Sequence, residues 1–119
     1  NTFNLSKGYK WNYYQTLKEV NFDNVCLEFL DSDGTLHYFR NQNDKIIDED
    51  GLGLTAEKEE NRYILKDKDG NQMFFTLQNN VYALTKIINT ANEEINIVHN
   101  TEGKITKLID ANKEEINSV

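Results

Sequence analysis

Apolar residues recur at every second position in short bursts along most of this chain, and most bursts end at a compact turn signal. Such alternation puts successive side chains on opposite sides of an extended backbone, so one side can be buried while the other meets water. Val25, Leu27 and Phe29 alternate with Cys26, Glu28 and Leu30, and Leu36 and Tyr38 alternate with His37 and Phe39. Trp11, Tyr13 and Leu17 share one parity, with Tyr14 on the other. Tyr63 and Leu65 precede a turn, and Met73 and Phe75 follow it; Ile95 and Ile97 precede another, and Ile105 follows. The turn signals are Asp33-Gly34, Asp50-Gly51, Asp69-Gly70 and Glu102-Gly103. Glycine takes the positive φ of a tight hairpin, and Asp or Asn tolerates the neighbouring position. The expectation is an all-β fold, a meander of short antiparallel hairpins in one or two curled sheets with little helix. Residues 41–60 are the least patterned and read as a long, acidic, partly mobile loop carrying one strand near Leu52 to Thr55.

A chain of 119 residues is one domain by length. Its formal net charge of −7 disfavours binding to phosphate backbones and to anionic membranes. Nucleic acid and membrane insertion are therefore not expected as partners, and no apolar run reaches the length of a membrane span. The single cysteine, Cys26, excludes an internal disulfide and any CxxC metal spacing. The chain starts at Asn1 and ends at Ser118-Val119, which reads as a piece of a longer polypeptide, so a missing leader says nothing about localisation.

Two internal repeats stand out. Asp31-Ser32-Asp33-Gly34 leads after four residues to Phe39, and Asp67-Lys68-Asp69-Gly70 leads after four to Phe75, an offset of 36. The second repeat is closer. Residues 84–96 align with 105–117 at an offset of 21, with seven of thirteen positions identical. A fixed period of this size signals stacked units, each reading strand, turn, strand, none able to bury its apolar face alone. The repeat also assigns 112–117, the best helical stretch, to a strand.

The run from Ile97 to Asp110 resembles the YD repeat of the Rhs family, whose pattern is Tyr-x-Tyr-Asp-x-x-Gly-Arg-Leu-Thr. Gly103 and Thr106 match, Lys104 and Ile105 are conservative replacements, and His99-Asn100 stand where the family has Tyr-Asp. In the preceding unit Leu84-Thr85 matches, with Asn79 and Tyr82 at the Asp and Gly positions. Upstream, Gly8 to Trp11, the first Asp-x-Asp-Gly and the run Tyr63 to Gly70 resemble the domain that leads into the repeats in Rhs and wall-associated proteins. The resemblance spans about Gly8 to Asn117. It implies a division into a leading region, 8–77, and degenerate repeats, 78–119. It further implies a non-enzymatic module of a bacterial extracellular or cell-surface protein, part of a β shell enclosing a C-terminal toxin. The implied partner is the remainder of the same polypeptide, its downstream repeats; apart from the resemblance, the aromatics make a cell-wall glycan a candidate partner, and an unpaired terminal strand would allow edge-strand self-association.

No catalytic constellation stands in the sequence, and no catalytic, cofactor or metal residue is assigned. An EF-hand reading of the Asp-Gly stretches fails, because counting back from Gly34, Gly51 or Gly70 places Phe29, Ile46 or Leu65 at the first ligand position. His37 and His99 have no second His or Cys at ligand spacing. Cys26, between Val25 and Leu27, reads as a small buried residue with no base aimed at it. Asp48-Glu49-Asp50 with Glu57, Glu59 and Glu60 could form a carboxylate pair for glycoside hydrolysis, but their polar surroundings favour a solvated loop. Aromatics are the remaining ligand candidates: Trp11, Tyr13, Tyr14, Tyr38, Phe39, Phe74 and Phe75 could stack on sugars in a carbohydrate-binding module. The competing reading is that Tyr13-Tyr14 and Phe74-Phe75 place one ring on each sheet face.

Overall fold

The computed structural model of the chain describes residues 13–110 and the backbone of 115–118. Eleven strands follow one another: β1 (Thr16–Phe22), β2 (Val25–Leu30), β3 (Leu36–Gln42), β4 (Lys45–Asp48), β5 (Thr55–Glu59), β6 (Arg62–Lys66), β7 (Gln72–Gln78), β8 (Val81–Ile88), β9 (Glu94–His99), β10 (Ile105–Asp110) and β11 (Glu115–Ser118). Each pairs antiparallel with the next. The fold is all-β, with no helix among the described residues. The meander is not simply curled. β1 returns to pair with β8 through Thr16↔Ala83 and Leu17↔Tyr82, which closes β1–β8 into an eight-stranded barrel. The Leu84 amide donating to the Gln15 carbonyl extends this seam. Closure leaves β1 without an exposed edge over that stretch.

Side chains fill the barrel. Leu17, Leu27, Phe29, Phe39, Leu65, Met73, Phe75 and Leu84 are fully buried, each at an alternate position of its strand. Phe29 sits edge-on to Phe39 and to Phe75, with ring centroids 6.3 and 6.0 Å apart. Eight strands enclose about the volume such side chains occupy, so the interior is a packed core rather than a ligand cavity.

The turns fall into two kinds, one at each end of the barrel. At one end the links are two residues long. Asp23-Asn24 and Asn43-Asp44 have positive φ throughout, and Glu60 and Asn79 open the other two links with φ of 51° and 58°. These match the twist of the flanking strands. At the opposite end an Asx side chain organises each turn. One Asp31 oxygen accepts the amides of Asp33 and Thr35, both at 2.9 Å. Asp67 does the same for Asp69 and Asn71, and Asn89 for Ala91 and Glu93. The fourth residue of each turn takes positive φ: Gly34, Gly70 and Asn92. The 36-residue repeat is thus one turn design used twice. Asn100 repeats it between β9 and β10.

Residues 41–60 depart from expectation. They hold most of β3's end, all of β4 and all of β5, not a long loop with a strand at Leu52 to Thr55. Asp48 is the reason. Buried, it accepts the amides of Asp50, Leu52 and Leu54, each at 2.9 Å, and so folds 49–54 into an ordered link. An acidic run that reads as solvated contains the one carboxylate that supplies the backbone's missing acceptors.

Candidate functional site

β8 is where the barrel and the repeats meet. Opposite β7, its first half pairs with β1 and its second half with β9, through Lys86↔Asn96, Ile87↔Ile95 and Ile88↔Glu94. The sheet therefore leaves the barrel at β8 and continues as β9, β10 and β11. The 21-residue repeat maps onto this departure. Its first copy covers most of β8, the Asn89 turn and the start of β9; its second covers β10 and most of β11, with 111–114 between them outside the described residues. Ile97, Ile105 and Leu108 are buried with the barrel core, and Tyr13 packs against it. The Ile105 amide donates to the Tyr14 hydroxyl at 2.9 Å, tying the lead-in of β1 to the β9–β10 hairpin. On the far side, β11 pairs with β10 at Lys107↔Ser118, Leu108↔Asn117 and Ile109↔Glu115, and no further strand pairs with β11 among the described residues.

A cleft of about 360 Å³ lies at the branch, lined by Tyr14, Gln78, Asn79, Asn80, Val81 and His99 among others. Tyr14 is 49% exposed. Burial holds the His99 imidazole below its usual pKa, so the ring is uncharged at neutral pH. Its Nδ1 is buried without a hydrogen-bond partner.

Polar clusters close the barrel's two ends. At the two-residue-turn end, Glu19 Oε2 accepts from the Tyr63 hydroxyl at 2.6 Å and from Lys58 Nζ at 3.0 Å. Tyr63 packs edge-on to Tyr82 at 4.8 Å. The Tyr63 hydrogen bond, then Lys58, hold Glu19 below the usual carboxylate range. At the Asx-turn end, His37 Nε2 meets Asp31 Oδ2 at 2.6 Å and Nδ1 meets Asp50 Oδ2 at 2.8 Å. Burial works against the imidazolium, but the two carboxylates outweigh it and raise the His37 pKa. When protonated, His37 donates from both nitrogens and has no lone pair to serve as a base or ligand.

No family model matches the chain, and no curated protein matches it. The site is therefore read from its residues alone. Asp48, Glu49 and Asp50 do not form a hydrolytic pair: Asp48 binds backbone, Asp50 binds His37, and Glu49 pairs with Arg40. Glu57 and Glu59 form surface ion pairs with Lys66 and Arg62, and Glu60 is a turn residue. Cys26 is half-buried, its thiol donating to the Phe39 carbonyl at 3.6 Å; burial pushes its pKa up. Among the described residues no cluster of three or more His, Cys, Asp or Glu could hold a metal ion. No helix there is long and apolar enough to cross a membrane. Of the aromatics, Phe39 and Phe75 are core, and Trp11 lies outside the described residues. Phe74 faces outward but is capped by Arg62 and Lys86, each 5.1 Å from its ring. Tyr38 packs against Phe22. Tyr14, about half exposed, lines the cleft at the branch. What sequence reading missed is the grouping of Asp31, His37 and Asp50, which come from the β2–β3 turn, β3 and the β4–β5 link and carry no spacing signature.

Proposed function

We propose that this chain is a non-enzymatic structural module of a large secreted or cell-surface polypeptide of the Rhs and YD-repeat kind, one piece of a β shell around a C-terminal toxin. The observation that carries the reading is the branch at β8. A closed, packed barrel anchors one end, and from its last strand the 21-residue repeat runs outward as successive antiparallel strands. A packed barrel offers rigidity rather than chemistry, and an array that gains strands one unit at a time is how repeat proteins build extended walls. Its natural partner is the next unit of the same polypeptide, paired to β11.

The test is to append one more copy of the 21-residue unit after β11. Because repeat stability sums over units and interfaces, the extended chain should unfold in one transition at a higher urea midpoint. An appended unit that stays unfolded, or melts separately without moving the midpoint, contradicts the reading.

One observation favours a second reading, a cell-surface carbohydrate-binding module: the exposed Tyr14 ring beside the amides of Gln78, Asn79 and Asn80. Aromatic faces and amides together suit sugar rings and hydroxyls. Reproducible glycan-array binding that disappears in Tyr14→Ala would favour that reading over the scaffold.

A further inference from the structure

We propose that His37 is a proton-operated latch that holds the β4–β5 link over the mouth of the barrel and lets it go when the ring loses its proton. The latch is built from three elements. His37 lies at the start of β3 and points into the barrel end, its ring 6.0 Å from Phe29. Asp31 approaches from the β2–β3 turn and Asp50 from the β4–β5 link. Those two carboxylates are the charged groups facing the ring; Phe29 of β2 is apolar, Asp48 is turned to the backbone of its own link, and Glu49 is neutralised by Arg40.

Only an imidazolium donates from both nitrogens. Once neutral, the ring keeps one proton, and one carboxylate must face a lone pair. The two carboxylates are not equivalent. The Asp31 side chain is 13% exposed, and its other oxygen is fixed by the amides of Asp33 and Thr35. The Asp50 side chain is 40% exposed, and His37 is the side chain that holds it. Asp31 therefore keeps the remaining proton and Asp50 is repelled into water. Its link can follow, because Gly51 and Gly53 flank Leu52 with φ of 78° and 74°, a region open to glycine and costly for other residues. Asp48 keeps its bond to the Leu54 amide, so the barrel stays closed, while opening of the link gives up the Asp50 and Leu52 amide bonds to Asp48 and uncovers Leu52, which packs against the core. The movement begins at the Asx-turn end of the barrel.

The Asn89 turn supplies an internal control. It has the same Asx hydrogen bonds at the same end of the barrel, with no histidine in them. Amide exchange at 51–53, divided by exchange at 90–92 to remove the intrinsic effect of pH, should rise about tenfold across the His37 titration, the size expected for losing a hydrogen bond to a charged group. Ring-nitrogen NMR on the same sample should show His37 doubly protonated below that step. Asp50→Asn, which touches only the exposed arm, should abolish the step and leave the fold intact. A flat ratio through the titration overturns the latch, as does a neutral ring throughout or an undiminished step in Asp50→Asn.

Discussion

Asp48 and Asp50 stand two residues apart in one acidic run and do different work. Asp48 is a buried acceptor for three backbone amides, whereas Asp50 reaches out to a histidine ring. Asp48→Ala leaves three amides short of acceptors and should destabilise the fold by about 2–4 kcal/mol in urea titration. Asp50→Ala, at an exposed position, should cost clearly less. The two histidines pull stability in opposite directions with pH. The folded His37 pKa is raised, so its contribution is full below the ordinary value of about 6.5 and is lost as pH rises through the raised value. Asp31 is lowered despite its burial, by the Thr35 amide and His37 above all, so its contribution is lost as pH falls through the lowered value. His99 is lowered by burial. Below about pH 6.5 the unfolded chain takes up a proton that the fold refuses, and stability falls. Urea midpoints at about pH 5 and about pH 9 should separate them. His37→Gln should flatten the alkaline loss, and His99→Gln should flatten the acid one. None of this was visible in the sequence, where a histidine in a strand looks the same whether its ring finds two carboxylates or none.

At the scale of single strands the sequence was far more legible. Period-two spacing found β2, β6 and β7 with their inward residues, and Asp-Gly marked the turns at Gly34 and Gly70. The adjacent pair Phe74-Phe75 does divide between faces. Phe75→Ala should cost about 3–5 kcal/mol as a core cavity, and Phe74→Ala about 2–3 kcal/mol, since Phe74 is buried on the other face beneath Arg62 and Lys86. Half the turns went unseen because they use Asn, Asp or Glu rather than glycine. Asp23-Asn24, Asn43-Asp44, Glu60 and Asn79 reach the left-handed region because strand twist demands it there. Replacing Asn79 by Gly should stabilise the β7–β8 hairpin, and Asn79→Val should weaken it by about 1–2 kcal/mol, read as a shift in urea midpoint. β4 and β5 were lost to the reading because their inward side is carried by Asp48 and Ala56, residues that do not announce a core.

Across the whole molecule, closure was the feature least available to the sequence. Pairing Leu17 with Tyr82 joins the first strand to the eighth, and no local pattern encodes so distant a partner. The repeat at offset 21 was legible, and the fold gives it a place: it begins in the strand that completes the barrel, and its next strands keep Ile97, Ile105 and Leu108 packed with the barrel core. The proposed division at 77/78 falls inside the last residues of β7, and β8 belongs to the barrel and to the array alike. On the proposed scaffold reading, that double membership would make the barrel an anchor and β11 a growing edge. Backbone groups on an unpaired edge exchange with water or recruit another chain, and the net charge of −7 opposes indiscriminate stacking. Amide hydrogen exchange at 115–118, in a strictly monomeric sample with and without an appended 21-residue unit, tests this claim most directly. The account predicts that these amides exchange much faster than those of β2 and β3 in the bare chain and slow by at least about tenfold once the next unit is present. If 115–118 are as protected as β2 and β3 without the extension, β11 is not a growing edge and the scaffold reading fails.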